Sequence, residues 1–345
     1  MDMRHALERL CTCTAPSGFE GPAAAAATEL LTPLMDQVWT DRMGNVVGVR
    51  RCGKPNARCL VLDAHLDEIG LMVTGVEEGF LRFQAIGGVD PRMLPNREVM
   101  VCADPPVPGV VACLPPHVQS REDADKAVPI RELYIDVGMP QAQAKAAIPV
   151  GTPVVFRADC FPLGEKQICG KSLDDRACFV TLLRAAELLS EKNLDVDLYI
   201  LGSTREETNG AGAKAGAFAL EPDWCVAVDV THGATPDAPK HKTFPLGSGP
   251  AVGVGPNMAR WITRRLLDRA KALDIPCRQE VMTGHTGTNG WYFQISREGV
   301  PTGVVSLPLK YMHTPIEAVS LEDMEQVARL LAAFAQSIGE EGAPC

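Results

Sequence analysis

The sequence predicts an α/β fold in which helices cover a mainly parallel mixed sheet and a small β-domain interrupts the chain. First, strand-like and helix-like segments alternate over residues 1–70 and again over 164–345, which is typical of parallel strands joined by helices. Second, residues 71–163 consist of short β-type runs separated by closely spaced proline and glycine. We therefore expect one domain formed by 1–70 and 164–345, with 71–163 inserted as a small β-barrel or sandwich.

The first part of the α/β domain predicts two helices and then two strands. "MDMRHALERL" has the apolar spacing of an amphipathic helix, and "GPAAAAATELLTPLMDQV" predicts a second helix. "NVVGVRR" and "ARCLVLDAH" predict strands. Within the insert, strands are predicted in "FLRFQAI", "EVMVCA", "GVVACL", "ELYIDVG" and "TPVVFRA".

After residue 163 the alternation returns. "SLDDRACFVTLLRAAELLSEKN" predicts a helix, "DVDLYILGST" and "DWCVAVDV" predict strands, and "NMARWITRRLLDRAKALDI" predicts a helix. "CRQEVM" predicts a strand with a short helix after it, and "TGVVSLPL" a further strand. The final helix, "SLEDMEQVARLLAAFAQSIG", begins with Ser320 and Asp323 at the spacing of a capping box.

Composition excludes several classes of function. The chain has 345 residues, of which 46% are hydrophobic and 22% charged, as in globular proteins. Its net charge of −10 argues against a nucleic-acid partner. No segment approaches the ~20 consecutive apolar residues of a membrane span, and the amino-terminal helix does not resemble a secretion signal. The 12 cysteines are scattered without a CxxC pair, so we expect no cysteine zinc site and a reducing, cytoplasmic location.

Candidate ligands follow the predicted strands and begin one predicted helix. Ligands of open α/β sheets bind beyond the carboxyl ends of the strands. The residues at those positions are His65 and Asp67, Glu206 and Glu207, Asp229, His313, and, at the helix start, Asp174 and Asp175. Taken singly, each histidine could be structural, the Asp pair could be an ordinary helix cap, and Asp229 could open a turn. Together they form a mixed nitrogen and oxygen donor set suited to Zn, Co or Mn in an open hydrolytic site.

The adjacent glutamates in "STREETNGAGA" raise a specific question. Neighbouring buried carboxylates repel one another, so this stretch is either a solvated loop or the neighbour of a cation. Adjacent side chains of an extended backbone point to opposite sides. One glutamate can therefore bind a metal while the other faces the substrate.

Short motifs along the whole chain resemble the tetrahedral (TET) dinuclear metallo-aminopeptidases, the family that includes glutamyl and deblocking aminopeptidases. In order they are "TAPSGFEG", "DAHLDEIG", "GGVDPRML", "LPPHV", "LYIDVG", "GKSLDDRA", "EETNGAGA", "AVDVTHGATPD", "LGSGPAVGVGP", "GTNGWYFQ" and "KYMHTPIEAVS". The resemblance implies a zinc-peptidase-like catalytic domain that binds two divalent ions. It further implies peptide substrates, and that the insert makes dimer contacts on the way to a homododecamer.

The resemblance also implies roles for single residues. Asp174 would bridge the ions, His65 and Asp229 would complete one, and Glu207 and His313 the other. Glu206 would be the general base that deprotonates the metal-activated water. Asp67 would orient the His65 imidazole, since metal-binding histidines usually need such a partner.

Two positions depart from the family pattern. Asn289 in "GTNGWYF" replaces an expected Asp, and Lys310 replaces an expected Arg before Tyr-Met-His. Neither is a proposed ligand, so the departures concern substrate preference. We expect Asn289 on the same rim as the ligands, where it either favours neutral or acidic first residues or only shapes a turn. His232 and His285 lie near the motifs but are expected not to be ligands.

The leading hypothesis is an aminopeptidase that hydrolyses the first residue of peptides. One alternative is a glycoside hydrolase using Glu206 and Glu207, but such carboxyls flank a sugar bond at ~5 to 9 Å and require no histidines. The other is a catalytically silent shell or scaffold protein of the same fold. The intact set of ligands and base argues against it.

Overall fold

A computed structural model of the chain describes residues 1–118 and 126–338, and the statements below refer to those residues. Over these ranges the α-helices are α1 Met3–Cys11, α2 Gly21–Leu31, α3 Gln141–Ala147, α4 Leu173–Leu189, α5 Ala211–Leu220, α6 Arg260–Ala272, α7 Gly290–Phe293 and α8 Leu321–Ser337. None of them is long and apolar enough to cross a membrane.

The strands form two sheets. The eleven strands of the larger sheet are β1 Gln37–Thr40, β2 Val46–Arg50, β3 Cys59–His65, β10 Phe161–Leu163, β11 Gln167–Gly170, β12 Asp197–Ser203, β13 Trp224–His232, β14 Ala251–Val254, β15 Arg278–Val281, β16 Thr302–Lys310 and β17 Glu317–Ser320. The six strands of the smaller sheet are β4 Gly70–Glu77, β5 Phe80–Ile86, β6 Glu98–Val101, β7 Val107–Ala112, β8 Tyr134–Asp136 and β9 Pro153–Phe156.

The larger sheet is parallel at its centre and antiparallel at its flanks. Its main strand order is β1-β2-β12-β3-β13-β16-β17-β11-β10, and the four central strands β12, β3, β13 and β16 run parallel. All four therefore end at the same edge. Helix α4 packs against β3 and is covered by α1 and α8, so one face of the sheet is buried in a continuous apolar core. This architecture confirms the predicted fold class.

The smaller sheet closes into a barrel in the order β4-β5-β8-β7-β6-β9, with β9 pairing back onto β4. Its inward side chains form an apolar cluster separate from the main core, which includes Leu71, Val73, Leu81 and Val154. The alternation of buried and exposed residues along β7 fits a strand with one face toward that interior. The β-rich texture predicted for this region is confirmed.

Several local predictions need correction. The helix expected over "GPAAAAATELLTPLMDQV" ends at Leu31, and Gln37 already begins β1. Pro33 accounts for the early end because proline lacks the N–H that would continue the α-helical hydrogen bonds, and a short 3₁₀ turn, Thr32–Leu34, follows instead. Helices α3 and α5 were not predicted. The cap of α8 is confirmed, since the Ser320 hydroxyl accepts from the Asp323 amide, but the last predicted residue, Gly339, lies outside the described ranges.

A buried ionic cluster joins the β3 loop to the start of α4. Glu68 accepts from Lys171 at 2.7 and 2.9 Å, from Arg176 at 3.0 Å, from the Ala15 amide at 3.0 Å, and from the Ser172 hydroxyl. The three charged side chains are at most 6% exposed. Burial raises the pKa of Glu68, but Lys171 and Arg176 outweigh it and lower that pKa to about 2.

Arg176 also binds three backbone carbonyls. Its guanidinium donates to Leu66 at 3.1 Å, Leu10 at 2.9 Å and Cys13 at 3.0 Å. The planar fork of an arginine can satisfy all of these acceptors at once. The cluster therefore fixes three segments of the chain: the one after α1, the one after β3, and the start of α4.

Replacing Arg176 with methionine tests this role. Arg176→Met leaves the three carbonyls without this donor and Glu68 with one fewer cation, so we expect a loss of about 3–5 kcal/mol in unfolding free energy. Arg184→Met is the control, because Arg184 lies on the same helix but pairs near the surface with Glu187 and Glu325, at an expected cost of about 1 kcal/mol or less. Denaturant unfolding followed by tryptophan fluorescence measures both, and equal losses would contradict the account.

Candidate active site

A cavity of about 420 Å³ lies at the carboxyl edge of the central parallel strands. It is lined by His65, Gly88, Asp174, Glu206, Glu207, Asp229, Val230, Thr231, His232, Glu280, Met282, Thr286, Gly287, Thr288, Met312 and His313. Six of the seven residues predicted for the site line it directly. The seventh, Asp67, is fully buried behind it.

His65 is the last residue of β3, and its imidazole is fixed on both sides. Nδ1 lies 3.1 Å from the Asp67 carbonyl and 3.4 Å from an Asp67 carboxylate oxygen, and Nε2 lies 3.2 Å from Asp174 Oδ1. A carboxylate behind one ring nitrogen orients the other toward a ligand position. The contact predicted between Asp67 and His65 is therefore present.

Asp67 also holds the loop that follows β12. Its two carboxylate oxygens accept from the backbone amides of Glu206 and Glu207, each at 3.1 Å. This pair of bonds aligns the adjacent glutamates at the cavity. The sequence did not predict this second role, because the partner amides come from a loop about 140 residues away.

Asp174 lies between the two histidines. Its Oδ1 faces His65 Nε2 at 3.2 Å, and its Oδ2 faces His313 Nε2 at 3.3 Å. The backbone at Asp174 and Asp175 is not helical, so regular helix begins only after these residues. The peptide bond between them is cis. The His313 Nε2 is also 3.3 Å from Glu207 Oε2.

The barrel region contributes to the same cavity. The carbonyl of Gly88, just after β5, lies 3.1 Å from His313 Nδ1. A Cβ at position 88 would come within 2.7 Å of that nitrogen, so only glycine leaves room for the ring. The barrel region therefore has a contact inside the candidate site.

Two groups of side chains have the geometry to hold a metal ion. One is His65, Asp174 and Glu207, and the other is His65, Asp175 and Asp229; within each, the candidate ligand atoms lie within 4.8 Å of one another. Asp175 was among the carboxylates noted in the sequence, but the family resemblance gave it no role as a ligand. Its Oδ2 accepts from the His65 amide at 3.2 Å, and its Oδ1 is buried without a hydrogen-bond partner among the residues that the structure describes.

The electrostatics of the cluster match a cationic occupant. Burial raises the pKa of Asp229 well above its usual value and that of Glu206 to about 8. Burial lowers the pKa of His313, but hydrogen bonds with Asp174 and Glu207 outweigh it and raise that pKa to about 11. Crowded carboxylates thus favour bound protons, and no lysine or arginine lines this cavity in the described chain. Divalent ions would supply the missing positive charge, so the donor set fits metal binding.

Sequence reasoning missed Glu317. This buried glutamate accepts from the Asp174 amide at 3.0 Å and from the His313 amide at 2.9 Å, so one carboxylate ties together the backbones of two candidate ligands. The sequence feature that could have indicated Glu317 is the presence of a glutamate in the short apolar segment "IEAVS", four residues after His313.

The expected rim position of Asn289 is wrong. Asn289 is 1% exposed, does not line the cavity, and donates to Asp63 at 2.9 Å and to Ser203 at 2.8 Å. Its amide is thus engaged beneath the site, which removes the structural basis for direct contact with a substrate charge. Lys310 does not line the cavity either.

His232 and His285 lie outside both ligand groups. His232 lines the cavity from the exposed end of β13. His285 stacks on Trp291, with ring centroids 4.5 Å apart, and its Nδ1 accepts from the Gly287 amide.

Comparisons with known proteins agree with this geometry. Residues 44–330 match the M42 glutamyl aminopeptidase family. The lysyl aminopeptidase of Pyrococcus furiosus is 33% identical over 90% of each chain. An aminopeptidase structure from Desulfurococcus kamchatkensis is 34% identical, with a TM-score of 0.90 over 97% of this chain and 94% of that one.

Two further solved structures bear on assembly and activity. The TET1 peptidase of Pyrococcus horikoshii, described as assembling into a tetrahedron or a large octahedral shell, is 28% identical, with a TM-score of 0.85 over 98% of this chain and 100% of that one. A Thermotoga maritima protein named an endoglucanase is 29% identical, with a TM-score of 0.77 over 96% of each chain. The family match covers most of the sequence, and the aminopeptidase relatives span nearly all of it. The chain belongs to the M42 glutamyl aminopeptidase family.

Proposed function

We propose that this chain is a metal-dependent aminopeptidase that binds two divalent ions and removes the first residue of peptides. The observation that carries the proposal is the position of Asp174, whose two oxygens face His65 and His313 at 3.2 and 3.3 Å. A carboxylate between two imidazoles, with further carboxylates on each side, suits a pair of ions that share one ligand.

The proposed ligands divide around Asp174. His65 and Asp229 hold one ion with it, and Glu207 and His313 hold the other. Asp175 has the right position to replace Asp174 in the first group, but one of its oxygens already accepts from the His65 amide. We therefore assign Asp175 to positioning His65. Zinc suits this nitrogen and oxygen set, and cobalt or manganese can use the same donors.

When bound, two divalent ions polarise the scissile carbonyl and lower the pKa of the attacking water. Glu206 then acts as the general base: its carboxylate accepts the water proton and returns it to the leaving amine. Asp67 holds Glu206 in place through the backbone amide, at 3.1 Å. Burial raises the pKa of Glu206 to about 8, and the positive charge of bound divalent ions would lower it again and keep the carboxylate ionised to accept the proton.

Self-association belongs to the same proposal. We propose that residues 71–163 form an inserted domain that makes dimer contacts, and that dimers assemble further toward a dodecamer. The support is the likeness to the TET1 peptidase, together with the separate apolar core of the barrel. Because Gly88 contacts His313, the insert would also help to shape the site.

The glycosidase alternative has one point in its favour, the relative named an endoglucanase. Such chemistry places two carboxyls on opposite sides of a sugar bond. Here the adjacent glutamates are held by one aspartate on one loop, and both histidines face Asp174. These contacts favour peptide hydrolysis with bound metal, and an assay on cellulose beside aminoacyl substrates separates the two activities.

The first test distinguishes the two glutamates. Glu206→Gln should retain bound metal and the melting temperature but lower kcat by about 10²- to 10⁴-fold, because only the base is lost. Glu207→Gln should instead weaken one ion, because its carboxylate faces His313. Metal content by mass spectrometry and kcat on leucyl-p-nitroanilide measure both effects. Normal turnover by Glu206→Gln would show that the base is wrongly assigned.

The second test concerns the shared ligand. Asp174→Ala should reduce metal content at both sites, whereas His65→Ala should affect mainly one. Metal counted on purified protein after equilibration with zinc gives the answer without an activity assay. Asp175→Asn is the matched control, since it keeps an acceptor for the His65 amide and should retain both ions. Two ions per chain in Asp174→Ala would contradict the bridging role.

A further inference from the structure

One carboxylate in the cavity has no role in the proposed ion cluster. Glu280, on edge strand β15, lines the cavity beside Thr231, whose hydroxyl donates to Glu280 Oε1 at 2.6 Å. The other oxygen, Oε2, is buried and has no hydrogen-bond partner in the part of the chain that the structure describes. A buried acceptor without a donor is costly, and a carboxylate oxygen pairs most strongly with a cation.

The distance from the ion cluster to Glu280 follows from strand geometry. Asp229 and Thr231 are two residues apart on β13, so their side chains lie on the same face, about 7 Å apart. Thr231 in turn contacts Glu280 directly. The Glu280 carboxylate therefore lies within roughly 10 Å of Asp229. The extended side chain of a lysine, which reaches roughly 6 Å from its Cα, can cover most of that distance.

The rest of the cavity wall leaves that position to a substrate. Its other carboxylates are those of Asp174, Glu206, Glu207 and Asp229, all assigned to the ions or to the reaction. No lysine or arginine among the described lining residues competes for Glu280. The same cavity is also lined by Gly287, which has no side chain, and by the small Thr288, which leave space for a chain of methylenes.

We propose that Glu280 is a specificity-determining residue that selects peptides whose first residue is basic, lysine or arginine, by turning its unpaired carboxylate oxygen toward the ammonium or guanidinium group. This inference rests on the proposed function, because the ion cluster must hold the amino-terminal end of the peptide for the first side chain to point toward Glu280. In this arrangement the metal ions bind the amino-terminal end of the peptide, and the Glu280 carboxylate binds the charged end of its first side chain.

Glu280→Gln tests the charge alone, since glutamine keeps the shape and an acceptor for Thr231. Lysyl- and norleucyl-p-nitroanilide form the substrate pair, because norleucine is close to lysine without the ammonium. The parent should prefer the lysyl substrate, and the variant should lower the lysyl-to-norleucyl ratio of kcat/KM by about 10- to 100-fold. The control is Glu298→Gln, which makes the same substitution at an exposed glutamate and should leave the lysyl-to-norleucyl ratio unchanged.

Reversing the charge of residue 280 gives a second test, because a loss of folding could not produce the expected gain for one substrate over another. Glu280→Lys should raise the glutamyl-to-norleucyl ratio above that of the parent. An unchanged lysyl-to-norleucyl ratio in Glu280→Gln would overturn the proposal. An equal fall for every substrate would also overturn it, since Glu280 would then act on a group that all substrates share.

Calorimetric binding of free lysine and norleucine to zinc-loaded protein separates this inference from the proposed function. If the parent cleaved no aminoacyl substrate, the proposed function would fail, yet the binding ratio would still report on Glu280. Preference for lysine that disappears in Glu280→Gln supports the proposal, and equal affinities in the parent contradict it.

Discussion

The buried ionic cluster of Glu68, Lys171 and Arg176 is the constraint on which the site depends. It joins the loop after β3 to the start of α4, and these two segments carry His65 and Asp174. Burying three charges is favourable only when each is paired and hydrogen-bonded, and here the backbone supplies the remaining partners. The proposed ligands His65 and Asp174, from distant parts of the chain, therefore meet because the ionic cluster behind them fixes both of the segments that carry them.

The cavity has the opposite electrostatic character. Behind it, the Glu68 charge is balanced by two cations, which lowers the pKa of that glutamate to about 2. In the cavity, carboxylates crowd together with no lysine or arginine among the described lining residues, and burial raises the pKa of Glu206 to about 8. Glu317 and Asp67 hold this crowded set through backbone amides rather than through cations. The fold thus keeps a concentration of negative charge that suits divalent ions.

Much of this arrangement could be predicted because parallel strands end at one edge. That rule alone brought together His65, Glu207 and Asp229, and the resemblance added roles to them. Hydrogen bonds to backbone amides could not be predicted, because any residue can supply an amide and only the folded chain shows which one is near. Glu317 was missed for this reason. Asn289 was misplaced because its motif lies next to the cavity, while its side chain turns beneath the sheet edge toward Asp63.

The most direct measurement is anomalous X-ray diffraction at the zinc edge from crystals of zinc-equilibrated protein. The account predicts two peaks in each chain, roughly 3.5–4 Å apart, with Asp174 contacting both. One peak should adjoin His65 and Asp229, and the other His313 and Glu207. A single peak, or two peaks that do not share Asp174, would contradict the proposed dinuclear centre.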